Sequence, residues 1–154
     1  GGVGEAFVGL ANQFNIERIS ATASALSLAR VATADAIAWA QKREAFGRRI
    51  IDHQSIRHRL VSMVTEIRST YAYLDQCVAQ LNAGDMPVSD LCMLKVHAAG
   101  VLERCAQGAM AVLGGEAYQK NWRVQRIHRE AQIFMLGGGT KEVLFDLAAR
   151  QMKF

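Results

Sequence analysis

Apolar side chains recur at intervals of three and four along most of the chain, the period of helices that bury one face. Ile56, Leu60, Met63, Ile67, Tyr71, Leu74, Cys77, Val78 and Leu81 follow that spacing and predict a helix from His53 to Ala83. Leu91, Leu94, Val96, Ala99, Val101, Leu102, Ala106 and Met110 predict another, capped by Ser89 and stopped at Leu113 by Gly114 and Gly115. Upstream, nine of the residues between 21 and 40 are Ala, which favours helix and lets neighbours approach closely. Asn15 is the expected N-cap of that helix, from Ile16 to Glu44. A short separate helix is expected over 4–13, with Ala6, Phe7, Leu10 and Phe14 on one side. Arg123–Gln132 reads as a short basic helix, and Thr140 as the cap of a last helix from Lys141 to Met152. Between them lie loops at 46–52 and 82–88, an irregular stretch at 116–122, and the flexible turn Gly137-Gly138-Gly139. Four main helices, three of them long, predict an all-α, up-down four-helix bundle.

Composition narrows the picture without changing it. With 154 residues and 51% apolar side chains, the chain is one domain able to bury a real core, not a disordered segment. Pro87 is the only proline, which argues against a sandwich of many turns. The Ala-rich run is interrupted by Arg30 and Asp35, so no membrane span and no membrane partner are expected. Cys77, Cys92 and Cys105 are odd in number and form no C-x-x-C pair. They read as free thiols of a reducing compartment, the cytoplasm or, in a eukaryote, the mitochondrial matrix.

The net charge of +4 gathers at Lys42–Arg49 and Arg123–Arg129. Neither cluster carries the interleaved aromatics of a base-stacking surface, so no nucleic-acid partner is expected. A bound phosphate or pyrophosphate and a plain solvated helix end both remain open. A di-iron bundle needs Glu-x-x-His pairs, and His53, His58, His97 and His128 all lack the Glu. No metal is expected. No G-x-S-x-G elbow is present, and each Cys sits at an apolar helical position.

Four short stretches remain: Phe14-Asn15-Ile16-Glu17-Arg18, Arg43-Glu-Ala-Phe46-Gly47 with Gln54 after it, Leu113-Gly114-Gly115-Glu-Ala-Tyr118, and Gly138-Gly139-Thr140-Lys-Glu142. Singly each is weak. Their order and separation together resemble the C-terminal helical domain of the acyl-CoA dehydrogenases, over essentially the whole chain. The resemblance implies a domain spanning 1–154, with the family's N-terminal helical and middle β-domains absent from this chain. It implies FAD as cofactor, an acyl-CoA thioester as substrate, an electron-transfer flavoprotein as acceptor, and a homodimer or homotetramer.

Residue by residue, the resemblance sets Arg43 on the pyrophosphate, Phe46 beside the adenosine, and Gln54 as a hydrogen-bonding partner, all on the FAD of a neighbouring subunit. Gly114, Gly115 and Tyr118 lie along the same dinucleotide. Thr140 and Glu142 touch the ADP side of the flavin. Many members carry a catalytic glutamate where this chain has Gly138, and glycine takes no proton. The isovaleryl and long-chain branches place the base on the first long helix before an Arg, where Glu17-Arg18 stands. The resemblance therefore implies Glu17 as the base in a water-poor pocket, with the Gly138 backbone N–H on the thioester carbonyl and Arg18 and Gly139 on the substrate. Ala111 and Ala117 depart from the family's Gln and Gly. The alternatives are a non-catalytic oligomerisation or interaction domain, an acyl-CoA oxidase, or a silent subunit of the same superfamily.

Overall fold

In the computed structural model, which describes residue 2 and residues 6–154, the chain forms five helices. They are α1 (Ala6–Lys42), α2 (Gln54–Asn82), α3 (Val88–Leu113), α4 (Arg123–Leu136) and α5 (Lys141–Gln151). The first four alternate in direction as a bundle, and α5 lies against α3. The all-α bundle expected from spacing is what forms.

α3 is the central rod, in contact with every other helix, and half of its positions are buried. α1 faces it with a seam of Ala25, Ala29, Ala32, Ala36 and Ala40, all at most 2% exposed. Methyl side chains at this spacing let the two backbones approach closely, and Leu94, Val101, Leu102 and Cys105 share the resulting core. α2 closes the other side through Leu60, Met63, Ile67 and Leu74. A smaller cluster of Cys92, Leu144 and Ala148 fastens α5.

Several boundaries differ from the sequence expectation. α1 runs unbroken through Asn15, which is no cap: it is buried within the helix, and its Oδ1 accepts a hydrogen bond from Arg18 Nη1. Its side chain is satisfied nine residues beyond the first residue of α1, so nothing there ends or starts the chain of backbone bonds. The separate helix over 4–13 is accordingly the first part of α1; residues 4 and 5 and the Phe7 side chain lie outside the described ones. Leu10 and Phe14, expected on one side of that short helix, are exposed. α1 therefore extends over 37 residues, about 55 Å at 1.5 Å per residue. α3 starts at Val88, with Pro87 rather than Ser89 in the cap position, where its fixed φ suits a first turn. α4 continues one turn beyond Gln132, until Gly137.

The stretch 46–52, expected as a loop, is ordered. Glu44–Ala45 (β1) pairs antiparallel with Arg48–Arg49 (β2), and a short 3-10 turn, Ile50–Asp52, leads into α2. Phe46 and Gly47 take φ of 55° and 77°, the two positive values a tight hairpin requires. His53 braces it: Nε2 donates to the Ala45 carbonyl at 3.3 Å, while Nδ1 accepts from Arg48 at 3.1 Å.

Candidate functional site

Glu17 and Arg18 of α1, Lys95 of α3, and Phe134, Gly137 and Gly138 at the end of α4 meet around a pocket of about 170 Å³. Ala21, Ile133 and Phe134 give it carbon walls. Glu17 is exposed at the rim, so the water-poor surroundings expected for it are not completed by this chain alone.

The floor is cationic. Arg18 and Lys95 are both buried, and neither forms an ion pair among the described residues. Arg18 Nε and Thr22 Oγ1, one helical turn apart, are buried without hydrogen-bond partners. Burial pushes the Lys95 ammonium below its ordinary pKa, and the Arg18 charge pushes the same way. The Cys92 thiol nearby is raised by burial, with Arg18 pulling it partly back. Two buried, uncompensated cations are costly to a fold, which makes this floor a place shaped for something other than stability.

The turn above it is glycine by necessity. Gly138 and Gly139 have φ of 72° and 108°. Thr140 follows at the N-cap of α5, but its hydroxyl caps no backbone N–H, so the helix entrance stays open. The Glu142 carboxyl is held below its ordinary pKa, first by its own backbone N–H and then by the Thr140 hydroxyl.

The other predicted site residues lie at the opposite end of the bundle. Arg43 is exposed at the base of the hairpin, Phe46 is 95% exposed at its tip, and Gln54 is exposed at the start of α2. Gly114 and Gly115 open the 3-10 turn Gly114–Tyr118 after α3, with Tyr118 88% exposed. Trp39 and Trp122, ring centroids 5.4 Å apart and edge to face, tie the two halves of this end together. Arg123 adds a bidentate pair to Asp35, 2.6 Å for each bond. From Glu17 to Arg43 along α1 is about 39 Å. The structure thus brings Glu17, Arg18, Gly138 and Gly139 together with Thr140 and Glu142, and sets Arg43, Phe46, Gln54, Gly114 and Gly115 far from them.

A family profile described as acyl-CoA dehydrogenase, C-terminal domain, matches residues 8–153. The chain belongs to the acyl-CoA dehydrogenase family. Among curated relatives, the acyl-CoA dehydrogenase apdG of Emericella nidulans is 33% identical over 150 residues, covering 92% of this chain and 34% of that protein. The crystal structure of an acyl-CoA dehydrogenase from Geobacillus kaustophilus superposes with a TM-score of 0.96 at 27% identity, covering all of this chain and 40% of that one. A structure titled for the electron transferring flavoprotein of Acidaminococcus fermentans matches with a TM-score of 0.95 at 27% identity, over 99% of this chain and 40% of that one. The chain spans about a third of the length of the curated relatives it matches first.

Within this acyl-CoA dehydrogenase domain, the far end suits a dinucleotide. A Cβ added at Gly114 or Gly115 would meet nothing within 4 Å, so a ligand can lie against bare backbone there. Arg43 makes no ion pair among the described residues and is free to meet a phosphate. Ala117, which replaces the family's Gly, is fully buried and fills core, whereas Ala111 is exposed on α3. Apolar side chains also stand exposed on α1, α4 and α5 around the pocket end, among them Phe14, Ile16, Ile133, Leu136, Val143 and Phe145. No described helix is long and apolar enough to cross a membrane. Lys95 escaped the sequence reading; its signal was a lone cation at an inward position between Leu91, Leu94 and Leu102.

Proposed function

We propose that this chain is the C-terminal helical part of an FAD-dependent acyl-CoA dehydrogenase that places its base on the first long helix, as the isovaleryl and long-chain branches do. The observation that carries the reading is the pocket that gathers Glu17, Arg18 and Gly138 from sequence positions far apart. Glu17, at the rim, takes the α-proton of the acyl thioester. The Gly138 backbone N–H, on a turn with no side chain in the way, donates to the thioester carbonyl and stabilises the enolate as it forms. Arg18 and Gly139 contact the acyl-CoA. FAD, when bound, accepts the hydride that leaves the β-carbon. Balanced, the α-carbon loses a proton to Glu17, the β-carbon loses a hydride, and a carbon–carbon double bond remains.

Thr140 and Glu142, at the start of α5 just beyond the Gly138-Gly139 turn, would hold the ADP side of that cofactor. Arg43, Phe46, Gln54, Gly114 and Gly115, at the opposite end, serve the cofactor of a neighbouring copy in a homodimer or homotetramer. The likeness to a structure titled for an electron transferring flavoprotein supports such a protein as electron acceptor. In the full-length enzyme, assayed with an artificial acceptor, Glu17→Gln lowers turnover by at least about 10²–10⁴-fold while the flavin absorbance persists. Full turnover in that variant would place the base elsewhere.

A further inference from the structure

Lys95 is nearly fully buried, and its Nζ donates to the Gly139 carbonyl at 2.8 Å. Among the described residues this is the one side-chain hydrogen bond to the backbone of 137–140. The rest of its side chain runs alongside the same turn, since a Cβ at Gly138 would come within 3.8 Å of Lys95 Cε. Lys95 springs from α3, the helix that touches all the others, so its ammonium links the turn to the most rigid part of the fold.

The turn needs that link. Three successive glycines have more conformations to lose than any other residues, and two of these hold positive φ. Gly137 is fixed by its N–H on the Ile133 carbonyl at 2.7 Å, and the helix beyond restarts with Leu144 N–H on the Thr140 carbonyl. Between those bonds the backbone of Gly138 and Gly139 is held from the side by Lys95. Stability of the fold does not account for a cation here, because a hydrophobic side chain of similar length would fill the space without the desolvation cost.

We propose that Lys95 is a positioning residue: by grasping the Gly139 carbonyl, it fixes the Gly138 N–H at the angle from which it meets the substrate's thioester oxygen. The proposal rests on the dehydrogenase reading for what Gly138 does; the tether itself rests on the geometry alone. Displacing a donor by an ångström removes most of its value to a transition state, on the order of 10²-fold in rate, while leaving ground-state binding largely intact.

The test uses the full-length enzyme with Lys95→Met and Lys95→Arg, read by amide hydrogen exchange, thermal midpoint and steady-state kinetics. In Lys95→Met the amides of 138–140 should exchange roughly tenfold faster or more, as expected where a local opening becomes easier. kcat should fall about 10²-fold with KM held within about threefold, the midpoint should stay or rise, and Lys95→Arg should restore most of the exchange protection and of kcat. Unchanged exchange in Lys95→Met overturns the tether. Faster exchange with kcat unchanged overturns its role in positioning, and so does a midpoint lowered in both variants, which marks Lys95 as a structural residue. If Glu17→Gln stays active, the reaction assigned to the pocket fails, yet the exchange result still decides whether Lys95 holds the turn.

Discussion

Gly138 and Gly139 are neighbours in one turn, yet alanine should cost very different amounts at the two positions. At Gly138 the added methyl has room, its nearest contact being Lys95 Cε at 3.8 Å. The penalty is the left-handed φ of 72°, about 1–2 kcal/mol for an L-residue. About 0.4–1 kcal/mol of that is offset because alanine has fewer unfolded conformations to lose. The net cost is about 0–1.5 kcal/mol. At Gly139 the φ of 108° lies beyond the left-handed well, adding about 1–3 kcal/mol. The methyl would also stand 3.0 Å from Leu144 Cδ2 and 3.2 Å from Cγ. Leu144 is fully buried against Cys92 and Ala148 and has little freedom to yield, so overpacking adds about 1–3 kcal/mol. Less the same entropic offset, Gly139→Ala costs about 1–5.5 kcal/mol. Urea titrations followed by far-ultraviolet circular dichroism measure both variants on one scale. In a domain of this size the gap corresponds to a melting-point difference of several degrees, about 2–4 °C per kcal/mol. Costs within about 0.5 kcal/mol of each other, or in reverse order, would refute the reasoning.

The clamp between α1 and α4 predicts a measurable coupling. Asp35 is only 13% exposed and Arg123 58%, so Arg123→Ala strands a carboxylate that is mostly covered and should cost about 1–2 kcal/mol. A double-mutant cycle with Asp35→Ala should return a coupling of about 1 kcal/mol, and a value near zero would remove the pair from the accounting. The Cys105 thiol, fully buried, is pushed up from its ordinary 9.0 to about 11 by that burial. Between those values the folded protein holds a proton that the unfolded chain releases, so stability falls as pH rises from about 9 to about 11, by up to roughly 3 kcal/mol from this group. Cys105→Ala should flatten that slope in denaturation measured across the window; an identical slope in both proteins would count against it.

The helices were legible where packing alone decides them. α2 falls within one residue of its expected bounds at either end, and α3 within two at its start and on its expected last residue, because the three-and-four spacing of Leu60, Met63 and Ile67 or of Leu91, Leu94 and Leu102 is the buried face itself. The hairpin at 44–49 was not legible, since a tight turn usually announces itself by Asn or Asp before Gly, and here Phe46 takes the positive φ. Asn15 misled for a related reason: a good capping side chain also serves inside a helix when Arg18 supplies its partner one turn on. The site was legible only in part. Glu17 and Gly138 drew notice because the family's glutamate is missing from one place and a glutamate stands at the other. Lys95 could not be paired from sequence, because its partner is a backbone carbonyl 44 positions later in a run without side chains.

The length of α1 has a hereditary consequence. If each chain lends its Glu17 end to one reaction centre and its Arg43 end to a neighbour's, no centre is encoded by a single gene copy's product alone once two alleles are expressed together. An allele changed at Glu17 and an allele changed at Arg43, each inactive when homozygous, produce in a mixed dimer one centre that carries both faults and one that carries neither. The heterozygote would therefore recover activity that neither parent strain shows, and the rod that keeps the two ends about 39 Å apart is the reason the faults separate.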